Sequence, residues 1–284
     1  MESESPSIEI RRLTELEDLR RVEELQKSVW GFEPLDVVPA RLMRVASRSG
    51  TLVLGAFDGA GDLVGFAYGF PGIREGEAMF CSHMLAVRPG VRNRSLGFRL
   101  KCAQKAALLP GKVNLVTWTY DPLEVKNGYL NLTKLGARVG EYLENLYGVT
   151  SSPLHGALPT DRFVVQWEIR SERVRERTEG EFDAAAYSRD RLAELRPDRS
   201  VNDTRPGPDG LRLCGVVRLD RDERELLVEV PKDAALLRTR YVAEGLVWQE
   251  AIRSIFQGYF ARGYLLTEVL RSPDGERSFY LLER

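Results

Sequence analysis

At 284 residues, with 41 Lys plus Arg against 42 Asp plus Glu and 43% hydrophobic residues, the composition is that of a soluble globular protein of one large or two modest domains. No apolar run approaches the ~18 residues of a membrane helix, and the acidic start MESESPSIEI lacks the basic and apolar parts of a signal peptide, so a cytoplasmic location is expected. Cys81, Cys102 and Cys214 are spaced for neither a disulfide framework nor a Cys-x-x-Cys site, and the two histidines add no ligand cluster, so no metal is expected. The net charge of −1 argues against a general polyanion binder, yet residues 78–120 hold seven cations and no carboxylate.

In chain order, SIEIRR (7–12) alternates like a short strand. Thr14 is then placed to cap a helix through Leu16, Leu19, Val22, Leu25 and Val29 that Gly31 closes. A short helix is expected from Pro39 to Ser47, then a hairpin in which TLVLGAFD and LVGFAYGF flank DGAGD. AMFCSHMLAV is apolar on both faces apart from Ser82 and His83, as in a central strand covered on both sides. The polar loop RPGVRNRSLG runs into the helical pattern FRLKCAQKAALL. VNLVTWTY reads as a buried strand and DPLEVKNGYLNLTKLG as a helix ending at Gly136. Residues 137–143 and 162–169 read as a further strand pair. The order of elements predicts an α/β fold on a mixed central sheet.

Residues 171–210 are highly charged and poor in large apolar side chains, which predicts surface helix plus loop. ELLVEVP reads as a strand, residues 233–262 as one long helix, and YLLTEVL with RSFYLLER as a closing hairpin around SPDGE. A domain boundary is accordingly placed between 1–170 and a smaller α+β domain at 171–284.

Strand, polar loop, then helix turns a helix N-terminus into a phosphate site, because N–H groups and the positive dipole end face the loop. Arg92 and Arg94 bring charge, while Ser95 and Gly97 are small enough for a ligand to approach the backbone. A basic solvated helix start would have the same composition.

The run MLAVRPGVRNRSLGFRLK resembles the acyl-CoA signature of the GNAT N-acyltransferase superfamily: a strand ending in Val-x-Pro, then Arg or Gln-x-x-Gly-x-Gly or Ala opening a helix. Val87 and Pro89 match the strand end, Arg92 the first polar position and Gly97 the last small one; Ser95 departs from the usual central Gly. The element order over residues 7–170 is similar as well. SHMLAV, LKCAQK, TWTYDPLEVKN, LNLTKLGA, YG and LPTDRFVVQWEI resemble a subgroup of this length with a C-terminal extension, some of whose members are associated with N-succinylation of amino acids.

The resemblance implies a GNAT-like sheet whose strands splay around acyl-CoA, either acetyl-CoA or succinyl-CoA. Backbone groups of Leu85, Ala86 and Val87 would bond the pantetheine arm, and N–H groups of Arg92, Asn93, Arg94, Ser95, Leu96 and Gly97 would cradle the pyrophosphate. An N–H near Leu85 would stabilise the oxyanion, and a succinyl tail would need an Arg or Lys near the thioester. The amine attacks directly, so something must take its proton. His83 is the first candidate, against a reading as a hydrogen-bonded histidine of a buried strand; Glu77 is the second. The family's thiolate-protonating Tyr falls on Leu132, which leaves that role to Tyr147 or Tyr129, with Tyr147 preferred. Asn127 and Asn131, at i and i+4, share a helix face and would contact CoA or substrate, unless they are ordinary surface amides.

Trp118, Asp121 and Arg162 are the candidate acceptor-binding residues. Asp121 would take the acceptor's ammonium and Arg162 a substrate carboxylate, against readings as a core aromatic, a helix cap and a strand-entry ion pair. His155 is expected in a loop. The expected function is a CoA-dependent N-acyltransferase acting on a small-molecule amine, an amino acid or derivative, with no nucleic-acid or membrane partner and a homodimer left open. The alternatives are a non-catalytic acyl-CoA sensor on the same fold and, for the basic stretch, a nucleic-acid binder.

Overall fold

The computed structural model describes residues 8–91, 95–148, 158–195 and 199–284. Arg92, Asn93 and Arg94 of the expected phosphate loop, and His155, lie outside the described residues. The chain forms two compact units that part after Trp118.

In the first unit, β1 (Glu9–Arg12) leads into α1 (Leu16–Trp30) and α2 (Ala40–Ala46). The cap expected at Thr14 is not made: Glu15 holds the N-cap position, because the Leu13 N–H bonds Val53 O at 2.9 Å and keeps the preceding chain extended. Gly31 ends α1 as expected, at φ 63° with its N–H on Lys27 O. Polar side chains of α1 tie down the entry to α2. Gln26 exchanges both its amide bonds with Val38, and Glu23 Oε1 accepts from Ala40 N at 2.5 Å, an anion at a helix start.

Strands β2 (Leu52–Phe57), β3 (Leu63–Arg74) and β4 (Glu77–Val87) extend β1 as an antiparallel meander. After α3 (Leu96–Leu108), β5 (Leu115–Tyr120) joins β4 in parallel, which makes the sheet mixed. Leu19, Val22, Leu25 and Met43 of α1 and α2 pack with Phe66 and Tyr68 on one face. The alternate residue Gly65 turns to the other face, toward Leu96 and Leu100 of α3.

In the second unit, α4 (Val125–Gly128) runs directly into a π-helical turn over Tyr129–Lys134, where a regular helix to Gly136 was expected. Then come β6 (Arg138–Leu143), β7 (Arg162–Glu168), α5 (Glu172–Glu179) and α6 (Ala184–Glu194). The end of the charged stretch also enters a hairpin, β8 (Asn202–Pro206) with β9 (Arg212–Val217) just beyond it, that its composition does not announce. The Asn202 amide pins it by exchanging hydrogen bonds with both backbone groups of Glu229, as a strand neighbour would.

Strand β10 (Glu225–Val230) follows, and the expected long helix is two, α7 (Ala234–Thr239) and α8 (Val242–Phe260). Both residues at the break are held by one carboxylate: Arg240 pairs with Asp209 and the Tyr241 hydroxyl bonds it, drawing the chain out of helical geometry. The closing hairpin is β11 (Leu265–Arg271) with β12 (Ser278–Glu283). Strand order in this unit is β7-β6-β11-β12-β10, antiparallel throughout. The expected boundary at residue 170 thus falls inside the second unit, since β6 pairs with β11 through Val139 and Leu266. Phe163 lies at the centre of this unit's core, ringed by Tyr120, Tyr142, Phe256 and Tyr280.

Candidate functional site: a parted strand pair

In the first unit the parallel pairing of β4 with β5 covers Met79 with Leu115, Phe80 with Val116 and Cys81 with Thr117, and there it stops. Strand β4 continues to Val87 along β3. At the same point β4 bulges: it takes three steps from Cys81 to Met84 where β3 takes two from Phe70 to Tyr68. A bulge bends its strand and disrupts the local ladder, so Ser82 and His83 are the residues at which β4 leaves β5. Gly69 lies opposite. A Cβ there would stand 2.3 Å from the Phe80 ring and 2.5 Å from Cys81 O, so only glycine permits so close an approach.

Beyond the bulge, Arg88 N–H bonds Val64 O at 2.8 Å. Counting back by twos along the antiparallel ladder, Ala86 and Met84 also turn their backbone groups to β3. Leu85 therefore turns its backbone groups the other way, toward the gap. An extended ligand can lie against that edge like a missing strand.

At its wide end the gap meets the start of α3. Ser95 holds the N-cap position at φ 55°, ψ 17°, a left-handed geometry that glycine adopts most readily. The first in-helix bond is Arg99 N to Ser95 O, which leaves the N–H groups before it directed at the loop, and the first turn has no acidic residue.

The cations of the carboxylate-free stretch do not all face this loop. Arg88 and Arg99 donate to the backbone carbonyls of Leu63 and Ile8, and Lys101 and Lys105 are buried. Lys101, missed in the sequence, bridges the two parted strands. Its Nζ donates to Ser82 Oγ at 2.9 Å on β4 and lies 3.3 Å from the ring centroid of Trp118 on β5. It also donates to Gln104 Oε1 at 3.1 Å. Burial pushes its pKa well below the ordinary lysine value, with the Cys81 thiol acting in the opposite sense. Helical spacing carries the signal for these residues: Leu96, Leu100, Lys101, Gln104 and Lys105 form the buried face of α3, with three polar side chains on a core stripe.

His83 is exposed, not enclosed in the strand as one reading had it, and no hydrogen bond to it occurs among the described residues. The rings of Tyr68 and Phe70 flank it at 5.9 and 5.8 Å and desolvate it, which lowers its pKa from the ordinary value of 6.5. Trp118 serves as the platform beneath Lys101, a corner of the gap. Glu77 lies at the far end of β4, paired with Arg74 across the hairpin.

The other expected residues belong to the second unit. Asp121 is not available to an acceptor's ammonium. Its Oδ1 accepts from Leu123 N, and its Oδ2 is 2.7 Å from Arg238 and 3.5 Å from Arg162. Arg162 is likewise engaged, donating to Asp161 O at 2.9 Å beside that same aspartate. Tyr147 is exposed, its hydroxyl 3.3 Å from Thr119 Oγ1. Asn127 is exposed whereas Asn131 is buried, because the π turn between them breaks the i, i+4 register. Leu132 is fully buried in the core. Among the described residues no group of three or more His, Cys, Asp or Glu could hold a metal, and no helix is long and apolar enough to cross a membrane.

The first unit is thus a mixed sheet whose central strands part and open on a helix N-terminus. In fold, the chain is similar to Arabidopsis thaliana NAA60 solved with acetyl-CoA, at 15% identity over 58% of this chain and 100% of that one, TM-score 0.47. It is also similar to the ribosomal-protein-S18-alanine N-acetyltransferase of Escherichia coli, at 17% identity over 58% and 96%, TM-score 0.46. A GNAT-family acetyltransferase of Streptococcus pneumoniae is a third, at 17% over 56% and 98%, TM-score 0.44. No protein-family model and no curated protein matches the chain.

Proposed function

We propose that the chain is a cytoplasmic, CoA-dependent N-acyltransferase that moves an acetyl or succinyl group from the thioester to the amine of a small molecule, an amino acid or derivative. One observation carries this reading: β4 parts from β5 at a bulge and presents the backbone of Leu85 to the gap, which ends at the left-handed Ser95 and the first turn of α3. An elongated substrate with an anionic end fits that edge. Its amide arm would pair with β4, and its phosphates would meet the N–H groups at the start of α3. The thioester would then lie deeper, beside Leu85 and His83.

There the Leu85 N–H can donate to the oxyanion that develops on the carbonyl, an interaction worth about 3 kcal/mol in comparable sites. His83, neutral near pH 7 and exposed, takes the proton of the attacking amine directly or through one water. The sulfur leaves as the thiolate and takes its proton from water. Acetyl- and succinyl-CoA offered against a panel of D- and L-amino acids, with free thiol as the readout, test the reading. Turnover with at least one pair is expected. Tight binding of both thioesters with no thiol released would leave the sensor reading in its place.

A further inference from the structure

The gap has a direction. Its wide end, past Val87, leads to the start of α3, and its narrow end is the last paired residues, Cys81 and Thr117. On the proposed acyltransferase reading, on which this inference rests, the phosphates lie at the wide end, so the acyl group points to the narrow one.

The narrow end is closed by polar side chains. The next residue on each strand after the last pair is Ser82 on one side and Trp118 on the other, and the Lys101 amine reaches both. Lys101 is 2% exposed and Gln104 not at all, so this corner is filled with side chain. Gln104 gives its carbonyl oxygen to Lys101, and its amide nitrogen, fully buried, has no hydrogen-bond acceptor. A buried donor without an acceptor is rare in folded proteins and points to a group that arrives with a ligand. The titratable groups that act on one another at this corner are Lys101 on α3 and Cys81 on β4. No carboxylate occurs anywhere in residues 78–120 to compete for the donors.

We propose that Lys101 and Gln104 form the acyl-selecting wall of the cleft: a donor-lined end that rejects an aliphatic acyl chain long enough to reach it and favours a chain of equal length whose far end accepts hydrogen bonds. Covering a methyl end with this wall leaves the Gln104 Nε2 donor without an acceptor, whereas a carboxylate end satisfies it. Lys101 and Gln104 act on selection, not on the bond that breaks.

Butyryl-CoA and succinyl-CoA test this, because both carry four-carbon acyl groups that differ in a methyl against a carboxylate end. For the unaltered protein, kcat/KM for succinyl-CoA should exceed that for butyryl-CoA at least tenfold. Lys101→Met, which keeps length and burial, should bring the ratio close to one, and Gln104→Leu should reduce it. A ratio near one in the unaltered protein overturns the proposal, as does a ratio that Lys101→Met and Gln104→Leu both leave unchanged. If no thioester is turned over with any amine, the acyltransferase reading fails instead. The wall is then judged by the ratio of equilibrium dissociation constants for the same two thioesters, with the same criteria. Should Lys101→Met not fold, the unaltered protein and Gln104→Leu decide.

Discussion

Two single residues set the chemistry of the cleft. Ser95 holds a backbone conformation that costs an L-residue roughly 1 kcal/mol, since its Cβ crowds the carbonyl. Ser95→Gly should therefore raise stability by up to about 1 kcal/mol in urea unfolding while leaving CoA affinity intact. His83 is the other. A general base must be neutral, and its flanking rings lower its pKa below 6.5, so activity should persist below pH 6.5 and fall only as pH drops through the lowered value. His83→Ala should lose that acid limb together with most of kcat; a variant with an unaltered pH profile would remove His83 as the base. The positions of Ser95 and His83 were legible in the sequence because both sit in a strand-loop-helix run. The engagement of Asp121 by Arg238 was not, since those two residues are 117 apart and nothing local joins them.

At the scale of elements, the bulge in β4 decides where the sheet opens. Gly69 makes the bulge possible, and Gly69→Ala would drive a Cβ into the Phe80 ring and Cys81 O. A loss of about 1–3 kcal/mol is expected, read by thermal unfolding, together with weakened acyl-CoA binding because β4 can no longer leave β5 at Ser82. The meander, α1, α3 and the closing hairpin follow from periodicity and turn residues that lie within a few positions of one another. Three features did not follow. The π turn at Tyr129–Lys134 changes register without changing composition. The break between α7 and α8 is made by Asp209, outside the helix, and the β8/β9 hairpin is held by Asn202 on Glu229. The last two rest on partners distant in sequence, which periodicity does not see. Leu132, within the π turn, is packed into the core, so Leu132→Tyr would bury its hydroxyl away from any ligand.

For the molecule as a whole, the near-zero net charge conceals two uses of arginine. In the first unit, Arg88 and Arg99 of the basic stretch bind the backbone carbonyls of Leu63 and Ile8. In the second, arginines clamp buried carboxylates. Arg173 and Arg177 both donate to Glu268 Oε1, at 2.7 and 2.8 Å; Arg212 and Arg277 hold Glu229; Arg253 takes both oxygens of Asp161. Glu268 is 1% exposed and the Arg177 side chain 6%. Glu268→Ala should therefore cost about 3–5 kcal/mol of stability, seen as a large drop in unfolding midpoint, because it strands a buried guanidinium.

The Glu268 clamp draws its acid from β11 and both its bases from α5, so none of the three residues can be exchanged without leaving the others mismatched. Across homologues, positions 173, 177 and 268 should drift as a triplet, either all retained or all replaced by apolar side chains together, while positions 101 and 104 in the first unit should vary independently of them.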